Sequence, residues 1–196
     1  MGEPTREPTV RVFVAVAPPD EAKTELERAL GPAYVAYPGL RWNRIEDWHI
    51  TLAFLGELPL PALESMRPVL ADAAAARPSL ELALRGGGHF DERVVWAGVD
   101  GELDGLHRLA DDVRGAIRAC GIDFETRPLR PHLTLARARR GDTSAVVDVA
   151  GRLAGFDGLA WRTRRLHLVA SNFGRGPGVI RYRDVDAWEF GGAPAV

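Results

Sequence analysis

The chain has 196 residues, enough for one domain with a sizeable buried core, and its 46% hydrophobic and 27% charged content is that of a globular protein. Its net charge of −2 supplies no global field toward nucleic acid or membrane. Cys120 is the single cysteine, which excludes an intrachain disulfide and a cysteine-based zinc site.

In chain order, "VRVFVAVA" (10–17) reads as an apolar strand stopped by "PPD". The seven-residue apolar run in this N-terminal stretch has no signal-peptide layout, and Arg6 spoils a myristoylation signal at Gly2. No apolar run is long enough to span a bilayer, so a cytoplasmic, monomeric protein with no membrane partner is expected. Residues 20–30 carry acids early and apolar side chains at Ala22, Leu26 and Leu30, a helix expected to end at Gly31-Pro32. A short strand at 40–42 and a firm one at 48–55 follow. A helix begins near Ala62, with Pro68 as a kink or an early turn. Residues 79–86 and 93–99 read as strands joined by a turn over "GGGHFDE".

The second half repeats the order of the first. Apolar residues at 103, 106, 109, 113 and 117 mark a helix closed by Gly121. A strand at 131–136, a helix near 143–154 and two long strands, 159–173 and 178–190, complete the chain, with "GRGPG" as the turn between the last two. The predicted fold is α+β: two pseudo-symmetric lobes, each a mostly antiparallel sheet with helices packed outside, and a central groove between them. No linker composition separates them, so residues 1–196 are expected to form one bilobal domain.

"WHITLAFLGE" (48–57) and "PHLTLARAR" (131–139) both write His-x-Thr on an apolar strand. Residues i and i+2 of a strand share a face, so His49 sits beside Thr51 and His132 beside Thr134, while Ile50, Leu52, Leu133 and Leu135 anchor the opposite face. One such strand is more often a core histidine beside a β-favouring threonine. Two copies with the same apolar alternation make a facing pair of imidazoles the better account. Histidine titrates near neutrality, so one imidazole can take a proton from water while its partner protonates a departing oxygen. Threonine hydroxyls can donate to phosphate oxygens. No metal or other cofactor is implied.

These motifs and their flanks resemble the two-histidine (2H) phosphoesterases, and among them the bacterial and archaeal RNA 2′,3′-cyclic phosphodiesterases once named 2′-5′ RNA ligases. The likeness spans "RVFVAVAPPD", "WHITLAFLGE", "RVVWAGV", "RPLRPHLTLAR" and "LVASNFGRGPGVIRYRDVDAW". It implies hydrolysis of a terminal 2′,3′-cyclic phosphate on RNA to a 2′-phosphomonoester, with His49 as proton donor to the 3′-oxygen, His132 as the base for water, and Thr51 and Thr134 on the phosphate. Reversible 2′-5′ ligation is compatible with it. A small cyclic nucleotide or a 2′,5′-oligonucleotide as substrate, and a non-catalytic module for RNA ends, stay open as alternatives.

Five arginines and no acid lie between Arg127 and Arg140. Arg137 is a candidate phosphate ligand, although strict alternation turns it away from His132 unless the strand bends after Ala136. Arg130 has the parity of His132, with Pro131 intervening. Arg139 and Arg140 read as an exposed loop. Trp42, Trp48 and Phe54 are expected in the core, and His89, His107 and His167 in structural roles.

Overall fold

A computed structural model describes residues 8–139, 143–172 and 181–191. Among the described residues nine strands, β1 (Thr9–Val16), β2 (Arg41–Trp42), β3 (Ile50–Pro59), β4 (Glu81–Phe90), β5 (Val94–Gly101), β6 (His132–Arg137), β7 (Trp161–Arg162), β8 (Arg165–Ser171) and β9 (Tyr182–Glu189), form one sheet. Four helices accompany them: α1 (Asp20–Ala36), α2 (Leu60–Ala75), α3 (Leu103–Ala119) and α4 (Thr143–Leu153). The sheet order is β7-β4-β5-β6-β3-β1-β8-β9, with β2 added to β6.

The two halves meet at the centre of that order, where β3 and β6 pair antiparallel at Ile50 and Leu133, both fully buried. The run β1-α1-β3-α2 on one side answers β5-α3-β6-α4 on the other, which is the repeat expected from the sequence. The helices cross over. Leu26, Leu30 and Ala33 of α1 pack with α4 and with Leu84, Val95 and Leu133 of the second lobe. Leu106, Leu109, Val113 and Ile117 of α3 pack with α2 and with Val12, Val14 and Leu52 of the first. Each lobe's sheet is thus covered by a helix that follows a strand of the other.

Burial explains the strands' composition. Phe13 through Val16 are buried on both faces: Val14 and Val16 lie under the helices, while Phe13 and Ala15 meet Val169 on the opposite side. A near-continuous apolar run is what a central strand requires.

Several sequence expectations are corrected. Helix α1 runs through Gly31-Pro32 to Ala36, because Ala33 is buried and Tyr34 packs edge-on against Trp42 at 4.5 Å between ring centroids. Pro32 is exposed, so the carbonyl that it leaves unpaired can be hydrated. The Gly-rich stretch is part of strand β4, and the turn falls at Asp91-Glu92, both at positive φ. Side chains at 87 and 88 would collide with Leu153 and with the Trp96 ring, so glycine there serves close packing. The single long strand expected over 159–173 is two strands at distant places in the sheet: β7 pairs with β4, and β8 with β1. Buried Thr163 lies between them, its hydroxyl accepting the Leu80 N–H at 2.7 Å. Residue 173, the "GRGPG" turn and the start of the last strand lie outside the described residues.

Because the helices interlock the lobes, we propose that the chain unfolds as one unit. Leu133→Ala is expected to cost ~2–5 kcal/mol. Urea unfolding followed by far-UV circular dichroism and by tryptophan fluorescence should show one coincident transition at a lower midpoint.

Candidate active site

On the face of the sheet away from the helices, the two His-x-Thr segments lie side by side. Antiparallel pairing at Ile50 and Leu133 sets His49 across from Thr134 and Thr51 across from His132. All four side chains are half-buried, while Ile50, Leu52, Leu133 and Leu135 are buried behind them. The parity read from the sequence therefore holds at the motifs.

The histidines share one local device. His49 Nδ1 lies 2.9 Å from the Asp47 carbonyl oxygen, and His132 Nδ1 lies 2.6 Å from that of Arg130. A carbonyl only accepts, so each Nδ1 carries the proton and each Nε2 is left with its lone pair. The single 3₁₀ turn Ile45–Asp47 positions the first of these carbonyls. Arg130 thus enters the site through its backbone oxygen, and its exposed side chain lies outside strand β6.

Beyond the threonines the alternation breaks in both strands. Thr51 pairs with Ala15 and Ala53 with Val14, so Leu52 is an extra residue in β3. Thr134 pairs with Trp96 and Ala136 with Val95, so Leu135 is an extra residue in β6. Each bulge buries two successive side chains and returns the next one to the histidine face. That residue is Phe54 in the first motif, and Arg137 in the second. Phe54 is therefore no core residue: it is 46% exposed, its ring stacked beside Phe13 at 6.3 Å with the Arg11 guanidinium 5.1 Å from its centroid. Arg137 lies on the side of His132, the outcome that strict alternation denied. Trp48, 1% exposed, is core as expected, and Trp42 packs against that core with its indole N–H on the Tyr37 carbonyl.

Aromatic rings frame each imidazole. Phe90 meets His132 edge-on at 4.9 Å, with Trp96 beyond it. Phe13 and Tyr182 meet His49 at 5.7 and 6.1 Å. His167, expected in a structural role, lies 6.3 Å from His49 and contacts the Asp184 carboxylate at 3.0 Å. Sequence reasoning missed Tyr182, Asp184, Phe90 and Trp96 here, since strand pairing alone brings them to the motifs. His89 accepts the Glu92 N–H in the β4–β5 turn, and His107 is exposed on α3. Arg139 is exposed, Arg127 is paired with Glu125, and Arg140 lies outside the described residues.

Burial pushes the His49 imidazole down from 6.5 to about 4; the Asp47 carbonyl and Asp184 act upward, Lys23 and His167 downward. His132 is also lowered, first by burial and further by the Arg137 cation, against the pull of the Arg130 carbonyl. Burial likewise lowers Arg137, whose charge is felt by Tyr182 of the other lobe. Both imidazoles are therefore neutral at pH 7 when nothing anionic is bound.

The family model of the 2′-5′ RNA ligase superfamily matches residues 18–174. The chain belongs to that superfamily. An RNA 2′,3′-cyclic phosphodiesterase of Geobacillus stearothermophilus is 38% identical over 134 residues, covering 66% of this chain and 42% of the relative. One from Aeropyrum pernix is 36% identical over 111 residues, 54% of this chain and 62% of the relative. The chain thus spans less than two thirds of either protein. The crystal structure of E. coli LigT complexed with phosphate is similar at a TM-score of 0.69 and 25% identity, over 94% of this chain and 99% of LigT. Among the described residues no helix is long and apolar enough to cross a membrane.

The depressed His49 pKa carries a stability consequence. Its contribution is fully present above pH 6.5 and is lost as pH falls toward 4, because only the unfolded chain takes up the proton readily in that window. Urea midpoints should fall across that range, and His49→Gln should flatten the dependence. An NMR titration of His49 with its midpoint near 6.5 would contradict the buried neutral imidazole.

Proposed function

We propose that the chain is a metal-independent phosphodiesterase that opens 2′,3′-cyclic phosphate ends of RNA to 2′-phosphomonoesters. The observation that carries this reading is the pair of Nδ1–carbonyl bonds on adjoining strands, which leaves two Nε2 atoms for proton transfer on one open face.

In this reading Thr51 and Thr134 donate hydroxyl hydrogen bonds to the non-bridging phosphate oxygens, and Arg137 pairs with their charge. The bound anion favours protonation of a neighbouring imidazole, so the complex recovers the proton that the unliganded site lacks. Arg137 favours the neutral His132 that a base requires. At His49 Asp184 acts against Lys23 and His167, so the proton there comes with the bound anion. Water attacks phosphorus as His132 Nε2 takes its proton. The bond from phosphorus to O3′ breaks, and His49 Nε2 gives its proton to that oxygen. The products are a 2′-phosphomonoester and a free 3′-hydroxyl, and the two histidines have exchanged protonation states. Run in the same direction with a 5′-hydroxyl in place of water, the same groups would make a 2′-5′ linkage, and the reverse of that step would open one. Arg130 contributes its carbonyl to His132, and its exposed side chain stays a candidate phosphate ligand. A cytoplasmic, monomeric enzyme working on RNA ends is part of the same proposal; the lone Cys120 is in keeping with a reducing compartment.

Hydrolysis of an oligonucleotide ending in 2′,3′-cyclic phosphate should persist in excess EDTA and yield only the 2′-phosphate. His49→Ala and His132→Ala should each lose ~10²–10⁴ in rate. A nitrophenyl phosphodiester, whose leaving group needs little protonation, should restore His49→Ala more than His132→Ala. The reverse order of rescue would exchange the two roles, and full activity in both variants would end the two-histidine reading.

A further inference from the structure

A cavity of about 380 Å³ opens on the first-lobe side of His49, with His49 and His167 in its wall. That size falls in the range of small-ligand pockets, ~300–1,000 Å³. Its lining holds four cations: Lys23 from the first turn of α1, Arg44 ahead of the 3₁₀ turn, and Arg181 and Arg183 at the start of β9. Lys23, the only lysine in the chain, is 9% exposed. Its ammonium makes no hydrogen bond or close ion pair among the described residues, and burial holds its pKa below the usual value. Asp20, Glu46, Asp184 and Asp47 act on it from a distance without closing on it, which leaves the half-desolvated ammonium able to meet an anion in the cavity.

Of the acids in the same cavity, Glu46 pairs with Arg44 at 3.2 Å and Asp184 with His167 at 3.0 Å, while burial raises the Asp47 carboxyl against the pull of Arg44 and Lys23. Arg181 and Arg183 make no side-chain ion pair among the described residues. The cations without a close ion pair among the described residues are therefore Lys23, Arg181 and Arg183, and they line the same cavity as the imidazole proposed to protonate a ribose oxygen.

We propose that this cavity binds the internucleotide phosphodiester on the 5′ side of the terminal nucleotide, so that the enzyme prefers the end of an RNA chain to a free cyclic nucleotide. The inference rests on the function proposed above. If His49 protonates O3′, the ribose that carries this oxygen lies against His49. The 5′-phosphodiester of the same ribose then leaves on the His49 side, where the cations are. On the other side the rings of Phe90 and Trp96 beside His132 offer a surface for a base, and the Arg137 cation there is assigned above to the reacting phosphate.

The test compares three substrates on the intact protein: adenosine 2′,3′-cyclic phosphate, the dinucleotide ApA ending in the same cyclic phosphate, and that dinucleotide with a neutral methylphosphonate as its internal linkage. The charged dinucleotide should exceed the mononucleotide in kcat/KM by roughly tenfold or more, as expected for charge-assisted contacts in a partly buried site. The methylphosphonate should fall back to the mononucleotide level. Arg183→Ala and Arg181→Ala should shrink the dinucleotide advantage while leaving mononucleotide hydrolysis as it was, and the salt dependence of dinucleotide KM should become shallower. Equal rates for the mononucleotide and the charged dinucleotide, or a methylphosphonate that keeps the full advantage, would overturn the subsite while leaving the phosphodiesterase reading intact. No hydrolysis of any of the three would instead overturn the reading on which the subsite rests.

Discussion

The pairing of Ile50 with Leu133 is the constraint on which the site depends. Among the described residues it is the one ladder pair between β3 and β6, and it fixes the register of two strands whose catalytic candidates stand immediately on either side. A slip of one residue in either strand would turn that strand's histidine and threonine into the helical layer and bring its buried aliphatic side chains to the open face. Such a slip is resisted by burial on a large scale. Ile50 and Leu133 belong to different hydrophobic clusters, one built on α2 and α3 and the other on α1 and α4. The position of each imidazole is thus held by a core that mostly belongs to elements far from it in sequence.

The motifs were legible because a strand's period of two needs no tertiary information. His49 and Thr51, and His132 and Thr134, fall on one face from their spacing alone. The repeated order of strand, helix and motif strand was legible for the same reason, as were α3 and α4, whose apolar stripes are regular. Phe54 and Arg137 were misread or left undecided because a bulge changes parity, and a bulge is a property of two paired strands. A clue was present all the same. Both motifs continue Thr-Leu-Ala, with two apolar residues in succession where alternation calls for one. Those Leu-Ala pairs are the places where both strands bulge.

Other misreadings have the same origin. Gly87 and Gly88 resemble turn residues until Trp96 and Leu153 are seen to occupy the space that their side chains would need. The stretch 159–173 looks like one strand because nothing local records that its two ends belong to opposite ends of the sheet. His167 gave no sign of its position beside His49, since β8 reaches the site only through β1. Lys23 carried a faint sign, as one lysine among 25 basic residues. Its burial in the wall of a cavity could not be inferred from a helical position that looks ordinary.

The order of the strands leaves the sheet with two ends, since it does not close into a barrel. At one end β7 is only two residues long. At the other, β9 carries Arg183, Asp184, Asp186 and Glu189 along eight residues. A short last strand offers little template, and an edge crowded with charges of both signs penalises the approach of a further strand. The same arginine that faces the cavity beside His49 therefore belongs to a row of side chains that discourages edge-to-edge aggregation, and neutralising that row would be felt in solubility as well as in binding.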